Sequence, residues 1–484
     1  MNTQLKTKAV VGISWNLISS FGVLALNFVT STILARLLSP EDFGIIGILL
    51  VIFALTQVFI DSGLGTAYIQ KKEVSDVDAN TVFFTNLAIS CIFYIILYLS
   101  APYIASFYHK PNLELYARVM GLILFINAFD IIQTAQLTRN VDFKRRTIIT
   151  LISVFTSSII AISLAFCGLG VWTLIIQQIS FRLFITTGLW ITSKWSPTLK
   201  VSKEAFKNMF SFGSWIFLSS FIQTIFNNIY TLTIGKIFSI VQLGYYNKAN
   251  EYSVAAFVPL AGSVWTVAFP IFAQLQDDKE RLKDVMRNFL QHLMIVTVPL
   301  SVTIIVVAKP FVLLIITEKW APMIPMLQLL SLSAIMSPLH IINQQILLAI
   351  GKSRLYMRLS FILNLISILN LVVMYRFGII YLVAGIVLFS LPGLYINSYY
   401  TRVFVGYGLA RQLNDLKFIF IGGALAGVLG YIVSIQSANL LLMLILGSFT
   451  TLIIYVVTQY LFNRSLFFEV LSLKSFVLSK YRVT

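Results

Sequence analysis

Long apolar runs follow one another along this chain, each closed by charged or turn-forming residues. They span 11–37, 43–69, 80–107, 113–138, 147–168, 170–193, 210–236, 242–273, 288–308, 322–350, 355–375, 379–401, 416–434 and 439–462. A helix needs about 20 apolar residues to cross the hydrocarbon core of a bilayer. The pattern therefore predicts an all-α polytopic membrane protein with fourteen transmembrane helices.

The pattern is also duplicated. Sliding the sequence by 200 positions lays residues 14–44 on 214–244 without a gap. Ser14 meets Ser214, Trp15 meets Trp215, and Ser19, Ser20 and Phe21 meet Ser219, Ser220 and Phe221. Asn27, Ser39 and Gly44 meet Asn227, Ser239 and Gly244, and Arg36 meets Lys236. Eight of the 31 positions are identical, where roughly two would match by chance at average residue usage. Duplicated membrane units are the sequence mark of transporters whose halves rock around a central site.

Charge tests the helix count, because Lys and Arg collect in cytoplasmic loops. With the N-terminus inside, the cytoplasmic loops and tails hold 26 of the 35 Lys and Arg, and the outer loops hold six: Arg36, Lys110, Lys236, Lys309, Lys319 and Arg376. A miscounted helix would invert every later loop and destroy this bias. Both termini are therefore expected in the cytoplasm. The offset of 200 maps the first helix onto the seventh, so each copy holds six helices and the copies are parallel repeats about an axis along the membrane normal. The expected organisation is a first six-helix bundle at 1–193, a cytoplasmic amphipathic linker at 194–209, and a second six-helix bundle at 210–404. Helices 13 and 14 follow with a cytoplasmic tail at 405–484. The linker carries Lys200, Lys203, Glu204 and Lys207 among Leu199, Val201 and Phe206, as an interfacial segment does.

Composition agrees. The chain is 58% hydrophobic and 11% charged, against about 45–50% and about 25% in soluble proteins; its mean hydropathy is +0.88. The net charge of +17 is mostly topological and carries no nucleic-acid reading. Cys91 and Cys167 lie in apolar segments and read as small buried hydrophobes. His109, His292 and His340 share no ligand spacing, so neither a metal nor a cofactor is expected. Seven of twelve prolines fall between Pro259 and Pro338; Pro259 and Pro338 lie within expected helices, where each frees a carbonyl and kinks the helix. Ser39-Pro40-Glu41-Asp42 reads as a helix start, with Ser39 as N-cap and proline in the first helical position.

Six ionisable residues lie inside expected helices: Asp61, Arg118, Asp130, Arg182, Lys248 and Glu251. Each costs about 2.5–3.5 kcal/mol on insertion scales and so faces a cavity or a partner. Arg182 stands about twelve residues into its helix, about 18 Å deep at 1.5 Å per residue. Gln178 and Thr186, four residues to either side, complete one polar stripe. Arg182 is either an anion-contacting cavity residue or a structural cation neutralised from another helix. Asp130 lies on a stripe with Asn127, Gln133 and Thr134; the stripe lines a cavity or seals two helices, and Asp130 and Arg182 are candidate partners. Asp61, in Asp61-Ser62-Gly63, either binds a coupling proton or cation or caps a distortion at Gly63 and Gly65. Lys248 and Glu251 are three apart, and form an intrahelical pair or contact substrate. Gln223, Asn227 and Tyr230 form a further polar stripe, and Asn343-Gln344-Gln345 a similar cluster; amides of this kind suit sugar hydroxyls or serve as interhelical glue. Arg118, one turn from Glu114, snorkels to the interface.

At Leu38–Gly47 (LSPEDFGIIG) and Leu243–Pro259 (LGYYNKANEYSVAAFVP) the chain resembles the polysaccharide exporters of the multidrug/oligosaccharidyl-lipid/polysaccharide (MOP) flippase superfamily, most of all their Wzx-type, lipopolysaccharide-biosynthesis branch. Asp61-Ser62-Gly63-Leu64, Arg139–Lys144 (RNVDFK), Gly168–Trp172 (GLGVW) and Phe269–Leu275 (FPIFAQL) extend the resemblance over nearly the whole chain. It implies two six-helix bundles facing each other across a cavity open to one side at a time. The implied cargo is an undecaprenyl-diphosphate-linked oligosaccharide, flipped to the periplasmic leaflet of a bacterial inner membrane. Its pathway neighbours would be glycosyltransferases, a polymerase and a chain-length regulator, with membrane lipids around it. A multidrug or cation antiporter of the same fold is the alternative; it would favour acidic and aromatic cavity residues. A membrane glycosyltransferase would need a large periplasmic domain, which the short loops exclude. Under the offset, Arg182, Asp130 and Asp61 fall on Leu382, Leu330 and Ala261. The expected cavity is therefore asymmetric, with Asp61, Asp130 and Arg182 on the first bundle and Lys248 and Glu251 on the second.

Overall fold

The computed structural model describes residues 3–61, 63–71, 73–140, 142–255 and 268–471, and all regular elements among them are helices. Twelve helical segments among the described residues are long and apolar enough to cross a membrane. They coincide with twelve of the fourteen expected runs. The seventh run falls on a 35-residue helix, Lys203–Ile237. The eighth falls on Ile240–Ala255 and Phe269–Gln274; the kink read at Pro259 lies outside the described residues. The chain divides into two compact units, Met1–Asn247 and Lys248–Thr484.

The first unit comprises α1 (Thr3–Leu37), α2 (Pro40–Asp61), α3 (Leu64–Gln70), α4 (Asp76–Phe107), α5 (Leu113–Met120), α6 (Ile123–Arg139), α7 (Phe143–Phe166), α8 (Val171–Thr192), α9 (Lys203–Ile237) and the start of α10 (Ile240–Ala255). α1 packs along α7, α7 along α8, α6 against α4 and α8, and α9 against α2. Start signals in the sequence set several of these boundaries. The Asp42 carboxylate accepts from Ser39 N at 2.8 Å and Ser39 Oγ at 2.7 Å, while Asp42 N donates to Ser39 Oγ at 3.3 Å. This reciprocal box starts α2 at Pro40, as its sequence indicates. Ser75 and Asp78 form the same box at α4.

The second expected helix, 43–69, is in fact two. Gly63 takes φ 69°, a left-handed conformation that ends α2 at Asp61 and restarts the chain as α3. The fourth, 113–138, likewise divides into α5 and α6 around Gly121. Cys167 is not buried as its sequence suggested: it caps the exposed end of α7, and Cys91 is only partly covered.

The repeat appears physically where α2 and α10 begin. A Cβ on Gly44 would collide with the Ile240 carbonyl oxygen, and a Cβ on Gly244 with that of Pro40. Position 40 corresponds to 240 and 44 to 244, so the contact is reciprocal under the 200-residue offset. Glycine permits backbone approach here as in other close helix crossings. Between α8 and α9 the chain runs extended and is pinned to α4. Asn80 Nδ2 donates to Thr198 Oγ1 at 2.7 Å, Thr198 N donates to Asn80 Oδ1 at 3.0 Å, and Ser202 N donates to Thr81 Oγ1 at 3.1 Å.

In the second unit, α11 (Phe269–Gln274) precedes the long α12 (Lys279–Phe311), which packs against α13 (Ile324–Ala349), α16 (Leu409–Ile435) and α17 (Leu440–Phe462). α15 (Ile379–Val405) joins α13 to α14 (Ser353–Met374), and a short α18 (Arg464–Leu471) follows α17. Pro338 lies inside the continuous α13. α16 and α17 pack closely through small residues: Gly430 faces Thr451, and Gly447 faces Ser434.

The reciprocal contact predicts that Gly44→Ala and Gly244→Ala each destabilise the purified protein by about 1–3 kcal/mol, the usual cost of overpacking. Gly65→Ala, whose added carbon would meet only Ile131 at 3.5 Å, should leave the thermal midpoint nearly unchanged. Equal midpoints for all three would contradict the contact.

Candidate functional site

Helices α2, α3, α6, α7, α8 and α9 enclose a cavity of about 570 Å³ in the first unit. Its polar lining includes Asp61 at the end of α2, Asn127, Asp130 and Thr134 on α6, Arg146 on α7 and Arg182 on α8. The break at Gly63 exposes the last turn of α2, and with it Asp61, to this space. α6 and α8 pack together, which sets Asp130 opposite the Gln178–Arg182–Thr186 stripe.

Two short hydrogen-bond chains fix the carboxylates. Asn127 Nδ2 donates to Gln57 Oε1 at 2.8 Å, and Gln57 Nε2 donates to Asp61 Oδ1 at 2.8 Å. This amide relay ties α6 to α2 and presents its last donor to Asp61. Thr186 Oγ1 lies 3.2 Å from Asp130 Oδ2 and 3.3 Å from the Ile126 carbonyl oxygen. Arg182 stands apart from these bonds. Among the described residues no carboxylate lies within 4 Å of its guanidinium, and its nearest aromatic contact is the adjacent Phe181 ring at 5.7 Å. Its charge still acts across the cavity on both Asp61 and Asp130, and that of Arg146 acts on Asp130. Arg182 and Asp130 thus share a cavity without forming an ion pair.

Of the residues singled out from sequence, Asp61, Asn127, Asp130 and Arg182 line this cavity. Gln178 lies one turn before Arg182 and is not in the lining. Phe217 and Ser220 of α9 line it; Gln223 and Asn227, three and seven residues beyond Ser220, extend that helix face. Lys248 and Glu251 pair with each other at 2.9 Å, with Lys248 Nζ 5.6 Å from the Tyr252 ring centre. Arg118 pairs with Glu114 at 2.7 Å and stacks 4.1 Å from the Tyr98 ring centre. Sequence reading missed Gln57 and Arg146. Gln57 had a signal, standing one turn before Asp61. Arg146 was counted among the loop charges, although Ile149 and Thr150 place its helix face on the cavity.

Residues 33–325 match the sequence profile of a family described as polysaccharide biosynthesis proteins. The chain belongs to this family. Similar members include the succinoglycan biosynthesis transport protein ExoT of Rhizobium meliloti, 26% identical over 69% of this chain and 68% of its own length. The lipopolysaccharide biosynthesis protein WzxC of Escherichia coli is 27% identical over 67% of each chain. These findings bear out the resemblance to the Wzx-type branch. Among solved structures, the lipid II flippase MurJ in an inward closed conformation superposes with a TM-score of 0.76, at 15% identity, over 94% of this chain and 99% of that one. An inward-facing multidrug transporter of the MOP superfamily gives 0.60 at 17% identity, over 82% and 98%. This polysaccharide biosynthesis protein therefore has the all-helical fold of MOP-superfamily transporters.

The relay predicts that Gln57→Leu leaves Asn127 and Asp61 without their shared partner. Thermal stability in detergent should fall by about 1–3 kcal/mol, the usual cost of an orphaned buried polar group. A variant as stable as wild type would show that the relay is not a structural tie.

Proposed function

We propose that this protein is a flippase that carries an undecaprenyl-diphosphate-linked oligosaccharide repeat unit from the cytoplasmic to the periplasmic leaflet, for surface polysaccharide or O-antigen synthesis. The observation that carries the reading is Arg182: a guanidinium deep in a membrane helix, facing a cavity, with no acid in direct contact. A diphosphate must leave water and cross about 30 Å of hydrocarbon. A guanidinium presents five donors in a fork that matches phosphate oxygens, and its field is strong where water is scarce. In this reading Arg182 receives the diphosphate, and Arg146 guides it at the entrance. Asn127 and the α9 face continued by Gln223 and Asn227 receive sugar hydroxyls. Lys248 and Glu251 stay outside the headgroup contacts because each already has the other.

Asp130 and Asp61 keep the empty cavity near neutrality. Arriving phosphate competes with them for Arg182, which links cargo binding to the state of both carboxylates. Asp61, at a helix break and held by an amide donor, is the proposed coupling site for a proton or cation. The cycle is alternating access between two six-helix halves, 1–193 and 210–404, within a fourteen-helix chain of the bacterial inner membrane whose termini are both cytoplasmic. The protein moves its cargo without making or breaking a bond in it, and works beside the glycosyltransferases, polymerase and chain-length regulator of its pathway. The similarity to a succinoglycan transport protein and a lipopolysaccharide biosynthesis protein, and the shared fold of the lipid II flippase MurJ, support this choice. A multidrug antiporter of the same fold is disfavoured by the two guanidiniums in the cavity.

Arg182→Ala should abolish surface-polysaccharide export in a strain dependent on this protein, at wild-type abundance in the membrane. Normal export by the well-expressed variant would remove the diphosphate role. Asp61→Asn should weaken any dependence of transport on a proton or sodium gradient in proteoliposomes. An unchanged gradient dependence would eliminate Asp61 as the coupling site.

A further inference from the structure

A second cationic cavity lies in the other unit, where α15 ends and α16 begins. It has a volume of about 530 Å³ and is lined by Tyr395, Ser398, Tyr399 and Arg402 of α15 and, across the turn at Gly406 and Gly408, by Leu409, Ala410 and Arg411. Among the described residues no carboxylate lines it. A neighbouring cavity of about 360 Å³ shares Ala410 and Arg411 but carries Asp284 and Asp415 beside its cations. There Arg287 Nη2 lies 3.0 Å from Asp415 Oδ1, and Tyr407 Oη donates to Asp415 Oδ2 at 2.9 Å. The chain thus supplies acids to one cavity and withholds them from the one next to it.

The cationic walls are held in advance. Gly406 takes φ 78° and closes α15, its N–H bonded to the Arg402 carbonyl at 2.9 Å. Arg411 Nη1 donates to the Gly406 carbonyl at 2.8 Å, and Gln412 Nε2 to the Tyr407 carbonyl at 3.0 Å. Burial, together with the adjacent Asp415, pushes the Tyr407 phenol well above its usual range, so its hydroxyl stays a neutral donor. The stem of Arg402 crosses Gly408, where an added Cβ would meet Arg402 Cβ, Cδ and Cγ at 2.9–3.2 Å. Gly408 also starts α16 with no side-chain cap, so the first N–H groups of that helix open toward the same space. Two guanidiniums thus line one cavity beside a helix start, with no acid in its described lining.

The rest of the surface says what kind of anion. Leu388, Leu391, Tyr395 and Tyr399 are exposed on α15, and their spacing places them on one helix face that runs toward Arg402. An apolar track that ends in aromatic rings and two arginines matches an acyl chain leading to a phosphate. We propose that this cavity is a binding site for the phosphate headgroup of a membrane lipid, with the lipid's chain lying along Leu388–Tyr399. The phosphate belongs to an anionic phospholipid of the bilayer or to a polyprenyl diphosphate; both present the same chemistry to Arg402 and Arg411. The site lies wholly in the second unit and rests on no part of the transport reading.

Native mass spectrometry of the full chain tests this, with phosphatidylglycerol, phosphatidylcholine of the same acyl chains, and undecaprenyl diphosphate added in turn. Wild type should retain phosphatidylglycerol or undecaprenyl diphosphate through activation that strips phosphatidylcholine. The Arg402→Gln/Arg411→Gln variant should lose that retention by about tenfold or more, since it removes charge-assisted hydrogen bonds. Displacement of phosphatidylglycerol by undecaprenyl diphosphate would assign the site to the carrier lipid; the reverse preference would assign it to the bilayer. Equal retention of phosphatidylglycerol and phosphatidylcholine by wild type, with undecaprenyl diphosphate held no better, overturns the proposal without any variant. So does unchanged retention in the double variant.

Discussion

The first unit is organised around one difficulty: a guanidinium held in the hydrocarbon without a carboxylate in contact. Insertion of such a charge costs about 2.5–3.5 kcal/mol, and the simplest relief would be a direct ion pair. The unit instead spreads the relief across a cavity. Asp130 is held by Thr186 and Asp61 by Gln57, so neither carboxylate collapses onto Arg182. A closed pair would be more stable and less useful, since removing one partner of a buried pair costs several kcal/mol. Separation leaves the cation able to exchange partners. The broken α2–α3 helix follows from the same demand, because its left-handed turn at Gly63 brings the end of α2, and Asp61, to the cavity wall.

The 200-residue repeat sharpens this contrast. One backbone contact is duplicated closely: Gly44 and Gly244 meet the carbonyls of Ile240 and Pro40 in reciprocal fashion. Glycine has no substitute at a contact between two backbones, which explains why these positions kept their identity while most apolar neighbours drifted. The offset itself lengthens along the repeat: α7 and α8 begin at Phe143 and Val171, and α14 and α15 at Ser353 and Ile379, 210 and 208 residues later. Leu382 and Leu330, which the 200-residue offset sets against Arg182 and Asp130, are buried core residues of the second unit but not their counterparts by helix position; Ala261, set against Asp61, lies outside the described residues.

Much of the fold was readable because bilayers punish error. Hydropathy located the runs that became α4, α7, α8 and α12 to α17, and the charge bias constrained how many lay between them. Helix breaks were harder. The run 43–69 is apolar on average, and Asp61-Ser62-Gly63 was the hint of its interruption, because an apolar average does not register a single φ. In the site, Asp61, Asn127, Asp130 and Arg182 were legible as charges or amides out of place among apolar neighbours. Arg146 was not, because a cation near a helix end reads as topology until the neighbouring helices show what it faces. Cys167 was misread because it lies at the close of its apolar run, 147–168, and hydropathy does not tell which residue at a helix end is left exposed.

Polar side chains in the two units also differ in where particular hydrogen bonds end. Asn343 and Gln412 exchange two hydrogen bonds at 3.0 and 2.9 Å, both side chains fully buried. Lys248 is buried against Glu251. The Asn343–Gln412 exchange joins α13 to α16, so the amide cluster at 343–345 acts through Asn343 as glue. In the first unit the bonds run in one direction, from Asn127 through Gln57 to Asp61, and end on a carboxylate that faces open space. A chain of donors that terminates at a cavity holds its last acceptor in place while leaving that acceptor's second oxygen available. That difference, between polar groups that close on each other and polar groups that end on a cavity, separates scaffold from site more reliably than polarity itself.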